Sequence, residues 1–302
     1  MAAALALSGA VAASASAEVV DIKGGWADWG VKETFRSYIG GAGQISVSDG
    51  ATRNPDGTFR FPLVGGTLDT ETGFGEVQLG GSVNFWAHGG ALDITVANPR
   101  VVLAETDALL FADSKSLPMG PGEPIDDNRD LIALDTGAVA PAIGATAIQW
   151  NEIPATLTGN GAPVFGGPAF DYHPGETEMD PLTVVAGFGE KPGLKVRGKA
   201  RLGKSAKAAV ATVRCKTGPC TVVAPKRAKV RVGGKRFNAK VQAPAEVNSG
   251  KRAAIAVKVT KRVAKKLAGK KGTVRFAVAV DAGPGAEVKK VVKTKLVGGK
   301  KR

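Results

Sequence analysis

Between Gly80 and Asn98 the sequence spells out a β-hairpin. Val83 and Phe85 alternate with polar neighbours on one side, and Leu92, Ile94 and Val96 alternate on the other. Ala87-His88-Gly89-Gly90 separates the two runs, a connection too short for anything but a tight turn. Gln44–Ser48 alternates in the same way, and Phe59–Val64, Thr67–Thr72, Gly75–Leu79, Val101–Ala104, Ala108–Ala112, Leu131–Asp135 and Asp180–Val185 read as further strands. With 41 glycines and 17 prolines to punctuate it, this stretch reads as one mainly β domain with a hydrophobic face on every strand. Asp49-Gly50, Gly65-Gly66 and Asn98-Pro99 read as turns, Pro62 as an edge-strand marker, and Leu117–Asp130 as a Pro/Gly/Asp-rich loop. Ala138–Gln149 fits strand or loop equally, and the Gly/Pro loop Gly159–Pro168 could bring Pro163–Phe165 across a site.

One segment has helical period. In Trp26–Tyr38, Val31, Phe35 and Tyr38 fall at i, i+4 and i+7, with Lys32, Glu33 and Arg36 away from them. Asp28 suits the N-cap and Gly40-Gly41 a C-terminal stop. Tyr38 should then point inward at the end of the stripe, where its hydroxyl needs a partner. A backbone carbonyl would satisfy it as well as any functional group.

Charge divides the chain in two. Residues 1–190 hold 24 acidic and 8 basic side chains, whereas residues 191–302 hold 3 acidic and 33 basic, balances of −16 and +30. Such an asymmetry implies two units with different partners. Gly187–Gly193 is the expected linker, giving domains 18–186 and 194–302. The second unit repeats the strand pattern about seven times, which suggests a small immunoglobulin-like β-sandwich ending in a basic tail. Its cations suit anionic cell-envelope polymers or lipid headgroups. They also suit a merely solvated basic face. Nucleic acid is disfavoured, because Phe237 and Phe276 are its only aromatics.

Met1–Ala17 is small and apolar and ends Ala15-Ser16-Ala17, the pattern of a cleaved leader, although a charged start is missing. That predicts export, with a secreted or envelope-associated protein. Cys215 and Cys220 would form a disulfide around Thr217-Gly218-Pro219 in an oxidising compartment. No later run is long and apolar enough to span a membrane as a helix.

The chain contains two histidines, His88 and His173, and two tyrosines, Tyr38 and Tyr172. No nucleophile elbow, zinc-protease motif or dinucleotide fingerprint accompanies them, so no enzymatic constellation emerges. An imidazole–phenol pair is the chemistry that stands out. A phenolate is a hard oxygen donor suited to Fe(III), and a neighbouring imidazole can take its hydrogen bond. His88 alone would equally serve as a structural turn residue.

Trp29-Gly-Val-Lys-Glu-Thr-Phe-Arg-Ser-Tyr38-Ile, Phe59-Arg-Phe-Pro, Gly81-Ser-Val-Asn-Phe-Trp-Ala-His88-Gly-Gly-Ala-Leu-Asp93-Ile, Ala108-Leu-Leu-Phe-Ala-Asp113 and Phe170-Asp-Tyr172 occur in order. From about Gly25 to Val185 this text resembles the HtaA domain of secreted and wall-associated haem-binding proteins of Gram-positive bacteria. The resemblance implies a β-sandwich holding one haem (ferric protoporphyrin IX) in haem-iron uptake, with donor and acceptor proteins as partners. It lands the axial ligand on Tyr38, that tyrosine's hydrogen-bond partner on His88, and the family's later tyrosine on Tyr172. His173 departs from the pattern and could contact iron or a propionate. A competing reading is a surface adhesin or polymer-binding sandwich without haem. A haem peroxidase is disfavoured by the lack of an arginine beside His88.

Overall fold

The computed structural model describes residues 18–117, 124–268 and 270–298. The expected leader and most of the basic tail lie outside these residues. The first unit contains β1 (Val19–Asp21), β2 (Gly24–Trp29), α1 (Glu33–Ala42), β3 (Gly43–Ser48), β4 (Thr52–Arg53), β5 (Phe59–Asp69) and β6 (Gly75–Leu79). It continues with β7 (Ser82–Ala87), β8 (Leu92–Leu103), β9 (Leu109–Ser116), β10 (Ile125–Leu134), β11 (Ala142–Ile143), β12 (Ala147–Leu157) and β13 (Glu178–Gly187). The chain is mainly β, as its alternation implies.

Pairing runs β5-β2-β13-β12-β10-β9-β8, and β6 joins β8 back to β5, so the first sheet closes on itself around one core. The inward residues of the alternating strands fill that core, among them Phe59, Phe61, Val83, Phe85, Ile94, Trp150 and Val184. β8 makes the departure that matters. Its second half pairs with β6 through Arg100, Val101, Val102 and Leu103, but its first half pairs with β7 through Leu92–Ala97. The change of partner falls at Asn98-Pro99, where Asn98 adopts φ 46° and its N–H donates to Gly81 O. The dipeptide expected to end a strand therefore bends one instead, and sends the β7–β3 ribbon off the ring.

Three other expectations shift for physical reasons. Gly65-Gly66 does not turn the chain: β5 runs through it, with a register shift between Leu63 and Gly65 against β6. Pro62 does not mark an edge, since β5 is paired on both sides; Pro62 O accepts from Gly80 N–H, and its missing donor falls where the register slips. Ile125–Asp130 is strand rather than loop, pairing with Asp113–Ser116 and Phe111–Ala112 of β9. Both faces of that hairpin end are largely solvent-exposed, so it has no apolar alternation to read. The remainder of the expected loop includes residues 118–123, outside the described part.

The second unit is a ten-stranded sheet: β14 (Gly193–Val196), β15 (Lys199–Arg201), β16 (Lys207–Arg214), β17 (Cys220–Val223), β18 (Arg227–Val232) and β19 (Lys235–Gln242), then β20 (Glu246–Val247), β21 (Arg252–Lys258), β22 (Gly272–Asp281) and β23 (Glu287–Val297). A short helix, α2 (Lys261–Leu267), is capped by Thr260. The unit has its own core, including Val213, Val230, Ile255, Val274 and Leu296. Cys215 and Cys220 are joined, as expected, and both are fully buried. Segment 187–193 is hydrogen-bonded to both units. Phe188 and Gly189 donate to Thr146 O at 2.9 and 3.1 Å, and Glu190 N–H donates to Thr217 Oγ1 at 2.8 Å. A side chain at Gly187 would collide with the Pro284 carbonyl, so the two units approach backbone to backbone there.

Candidate functional site

Trp26–Trp29 is β-strand, paired with β5 and β13, and the helix begins only at Glu33. Asp28 therefore caps nothing; it receives both guanidinium hydrogen bonds of Arg60. Val31 lies before the helix, buried, at φ 66°, a conformation a β-branched residue holds only under constraint. The buried face of α1 is Phe35, Arg36 and Ile39, not Val31, Phe35 and Tyr38. Tyr38 points outward and is 37% exposed.

The constraint on α1 comes from far along the chain. Lys32 at the N-cap gives no side-chain capping bond; its Nζ donates to Glu178 O at 2.6 Å. Asp180, at the start of β13, supplies the cap instead: its Oδ1 accepts from Glu33 N–H at 2.9 Å. Its other oxygen pairs with the Arg36 guanidinium, which also donates to Gly30 O at 2.6 Å. Asp180 N–H donates to Val31 O at 2.9 Å, and Trp29 Nε1 donates to Asp180 O at 3.1 Å. A side chain at Gly30 would overlap both charged groups of this clasp.

From that fixed start α1 runs to Ala42, passing through Gly40-Gly41 rather than stopping there. Gly43 then begins β3, opposite Ala87 at the end of β7, which immediately precedes His88. A side chain at Gly43 would strike the Trp86 carbonyl, so the close approach requires glycine. This register brings the last turns of α1 to the hairpin mouth. His88 opens the turn at φ 53°, followed by Gly89 at 68° and Gly90 at 98°, as the Gly-Gly after it implies. Tyr38 Oη and His88 Nε2 lie 2.5 Å apart, a short hydrogen bond, with ring centroids 5.6 Å apart.

Phe170 completes the cluster, and sequence reasoning did not single it out. Its ring meets Tyr38 edge-on at 5.1 Å, Phe35 at 5.8 Å, and stacks on Tyr172 at 5.7 Å. Its adjacency to Tyr172 in Phe170-Asp-Tyr172 was the one available signal. Tyr172 is buried, which pushes its phenol above the ordinary tyrosine range, while a hydrogen bond with the Thr34 side chain on α1 opposes the shift. Phe165, from the loop expected to cross the site, packs its ring edge against Phe35 at 5.9 Å in the core. His173 takes no part: its Nε2 pairs with Asp171 Oδ1 at 2.9 Å on the exposed side of the loop.

The cluster faces a bare surface. Gly40, Gly41 and Gly89 are exposed, and a Cβ on any of them would meet nothing within 4 Å. Helical glycines cost about 1 kcal/mol each relative to alanine, so their presence beside Tyr38 calls for a reason other than helix stability.

Comparison with known proteins gives the site a family. The HtaA family model matches residues 24–185. Among solved structures, the C-terminal domain of HtaA from Corynebacterium glutamicum is 27% identical, covering 56% of this chain and 99% of its own, with a TM-score of 0.49. The N-terminal domain of HtaA from the same organism is 27% identical over 56% and 99%, with a TM-score of 0.48. The heme binding protein HtaB from the same organism is 22% identical over 57% and 95%, with a TM-score of 0.41. No curated protein matches the chain. Since the family model spans more than half of its length and covers α1, the hairpin of His88 and the Phe170–Tyr172 loop, the chain belongs to the HtaA family.

Proposed function

We propose that the first unit captures ferric haem, with Tyr38 as the axial ligand and His88 as its proton partner, and passes the haem on in iron uptake. The observation that carries this reading is the 2.5 Å Tyr38–His88 hydrogen bond on an exposed edge of an HtaA-family domain. The residues suit the group. Tyr38 offers a hard oxygen donor at the surface, Phe170 and the buried Tyr172 supply ring faces and edges beside it, and Gly40, Gly41 and Gly89 leave room for a flat macrocycle. Among the described residues no three His, Cys, Asp or Glu side chains converge to hold a metal ion.

A phenol with an ordinary pKa near 10 is protonated at neutral pH and ligates weakly. Bound Fe(III) favours the anion, and the His88 imidazole accepts the phenol's proton or its hydrogen bond. Removing that acceptor, as His88→Ala would, loosens the ligand. Tyr172 lends packing rather than ligation, because its burial favours the neutral phenol. His173, held by Asp171, is not assigned to iron. The protein is read as a binding protein and not an enzyme.

Export fits the Ala15-Ser16-Ala17 leader pattern and the buried Cys215–Cys220 disulfide. The basic second unit would hold the chain to anionic material of the cell envelope, where haem donors and acceptors meet it. Among the described residues no helix is long and apolar enough to cross a membrane. Titrating haemin into the purified chain tests the haem reading: saturable one-to-one uptake is expected. Tyr38→Ala, shown by circular dichroism to be folded, should retain little of it, whereas undiminished uptake by that variant would refute the assignment.

A further inference from the structure

The second unit carries a concentrated cationic face whose arrangement goes beyond overall charge. β19, β18, β22 and β23 lie side by side. Their registers put Arg236, Arg231, Thr273 and Lys295 in one row across the sheet, and Asn238, Lys229, Arg275 and Lys293 in the next. All eight are exposed, while the residues alternating with them face the core. Most of these side chains line a cleft of about 460 Å³.

Three pairs of like charges stand directly opposite: Arg231 with Arg236, Lys229 with Arg275, and Arg275 with Lys293. Such pairs destabilise a sheet. Nothing on the face relieves them. Among the described residues none of the six cations is in an ion pair, and the one polar partner is Asn238, which accepts from Lys229 Nζ at 2.5 Å. The unit's three acids stand elsewhere: Glu287 pairs with Lys289, Asp281 lies opposite Glu287 at the far end of β22, and Glu246 lies on β20 opposite Thr221. Among the described residues no acid pairs with these cations, so the face is open to an external anion.

We propose that this face is a binding site for a linear, flexible polymer of phosphates. Strands about 4.8 Å apart spread the two rows over roughly 15 Å, which suits an extended chain better than a single ion. Three arginines offer planar forks that match phosphate oxygens two at a time. The face has no aromatic ring on which a base could stack, since Phe237 is turned to Lys266 and Phe276 is buried. Beside it the sheet exposes Val291, opposite Ala277, and Val223, opposite Ala279, but no leucine, isoleucine or aromatic side chain to enter a bilayer. The inference deepens the envelope-attachment half of the proposed function and is independent of haem.

The test uses the full chain, with long-chain sodium polyphosphate as probe. Oligo(dT) and vesicles of phosphatidylglycerol with phosphatidylcholine are the comparison arms. Arg231→Gln with Arg275→Gln removes two cations from the face. Lys204→Gln with Lys251→Gln removes two exposed cations away from it. The face variant should bind polyphosphate about tenfold more weakly, and its log-affinity against log-salt slope should be shallower by roughly 1.4, two phosphate contacts at about 0.7 each. The control variant should stay within about twofold of the parent, and haemin uptake should be unchanged in both. Equal losses in the two variants would overturn the proposal in favour of net charge alone. Tighter binding to oligo(dT) or to vesicles than to polyphosphate would overturn it in favour of those partners. Loss of haemin uptake with polyphosphate binding intact would count against the haem reading only.

Discussion

Asp180→Ala should unlatch α1. The carboxylate performs two tasks, capping the helix at Glu33 N–H and pairing with Arg36, while backbone bonds to Val31 and from Trp29 hold it in position. Removing one partner of a buried ion pair costs about 3–5 kcal/mol. Arg36 is 9% exposed but Asp180 is 18% exposed, so the lower end applies, about 3 kcal/mol. The lost cap adds up to about 1 kcal/mol. For a unit of this size that total lowers Tm by roughly 6–16 °C. Asp180→Asn keeps an acceptor for Glu33 N–H and should lose only about 2 kcal/mol. Urea unfolding followed by tryptophan fluorescence measures the loss, because Trp29 donates to the Asp180 backbone. Hydrogen exchange should show α1 amides opening faster than those of β12. A loss below about 1 kcal/mol for Asp180→Ala, with α1 still protected, would refute the clasp as the feature that positions Tyr38.

Three further outcomes follow from the same structure. Gly41→Ala should stabilise the haem-free protein by up to about 1 kcal/mol, read as a higher Tm, yet weaken haemin binding by filling the bare surface beside Tyr38. Tyr172 has a folded-state pKa raised by burial, so its contribution to stability is complete below the unfolded value near 10 and is lost as pH rises through the folded value; unfolding from pH 8 upward should show a fall above about pH 10 that Tyr172→Phe reduces. Native protein should show no titratable thiol, and replacing Cys215 and Cys220 with serine should cost on the order of 2 kcal/mol, modest because the loop is short.

The hairpin around His88 was legible in full. Its alternating residues face one core, and its Gly-Gly allows the positive φ angles of the turn. The helix was legible in type but not in register. Its true boundary depends on a cap 147 residues away, and its apolar face includes a buried arginine that no hydrophobic period marks. Reading Val31 as part of the stripe turned Tyr38 inward, whereas the structure leaves it at the surface. The strand at Ile125–Asp130 escaped because both of its faces meet water. Gly65-Gly66 and Asn98-Pro99 carry genuine turn chemistry, but here it serves bulges within long strands. Phe170 joined the site only when the loop before β13 folded back over α1.

The absorption spectrum of the ferric haem complex addresses Tyr38 most directly. Wild-type protein should show a Soret band with a tyrosinate-to-iron charge-transfer feature. Tyr38→Ala should lose that feature and most of the haem, and His88→Ala should keep the feature while binding less tightly. A Tyr38→Ala protein with the wild-type spectrum, alongside a His173→Ala protein that has lost it, would contradict the account and move the iron to the other end of the Phe170–His173 loop.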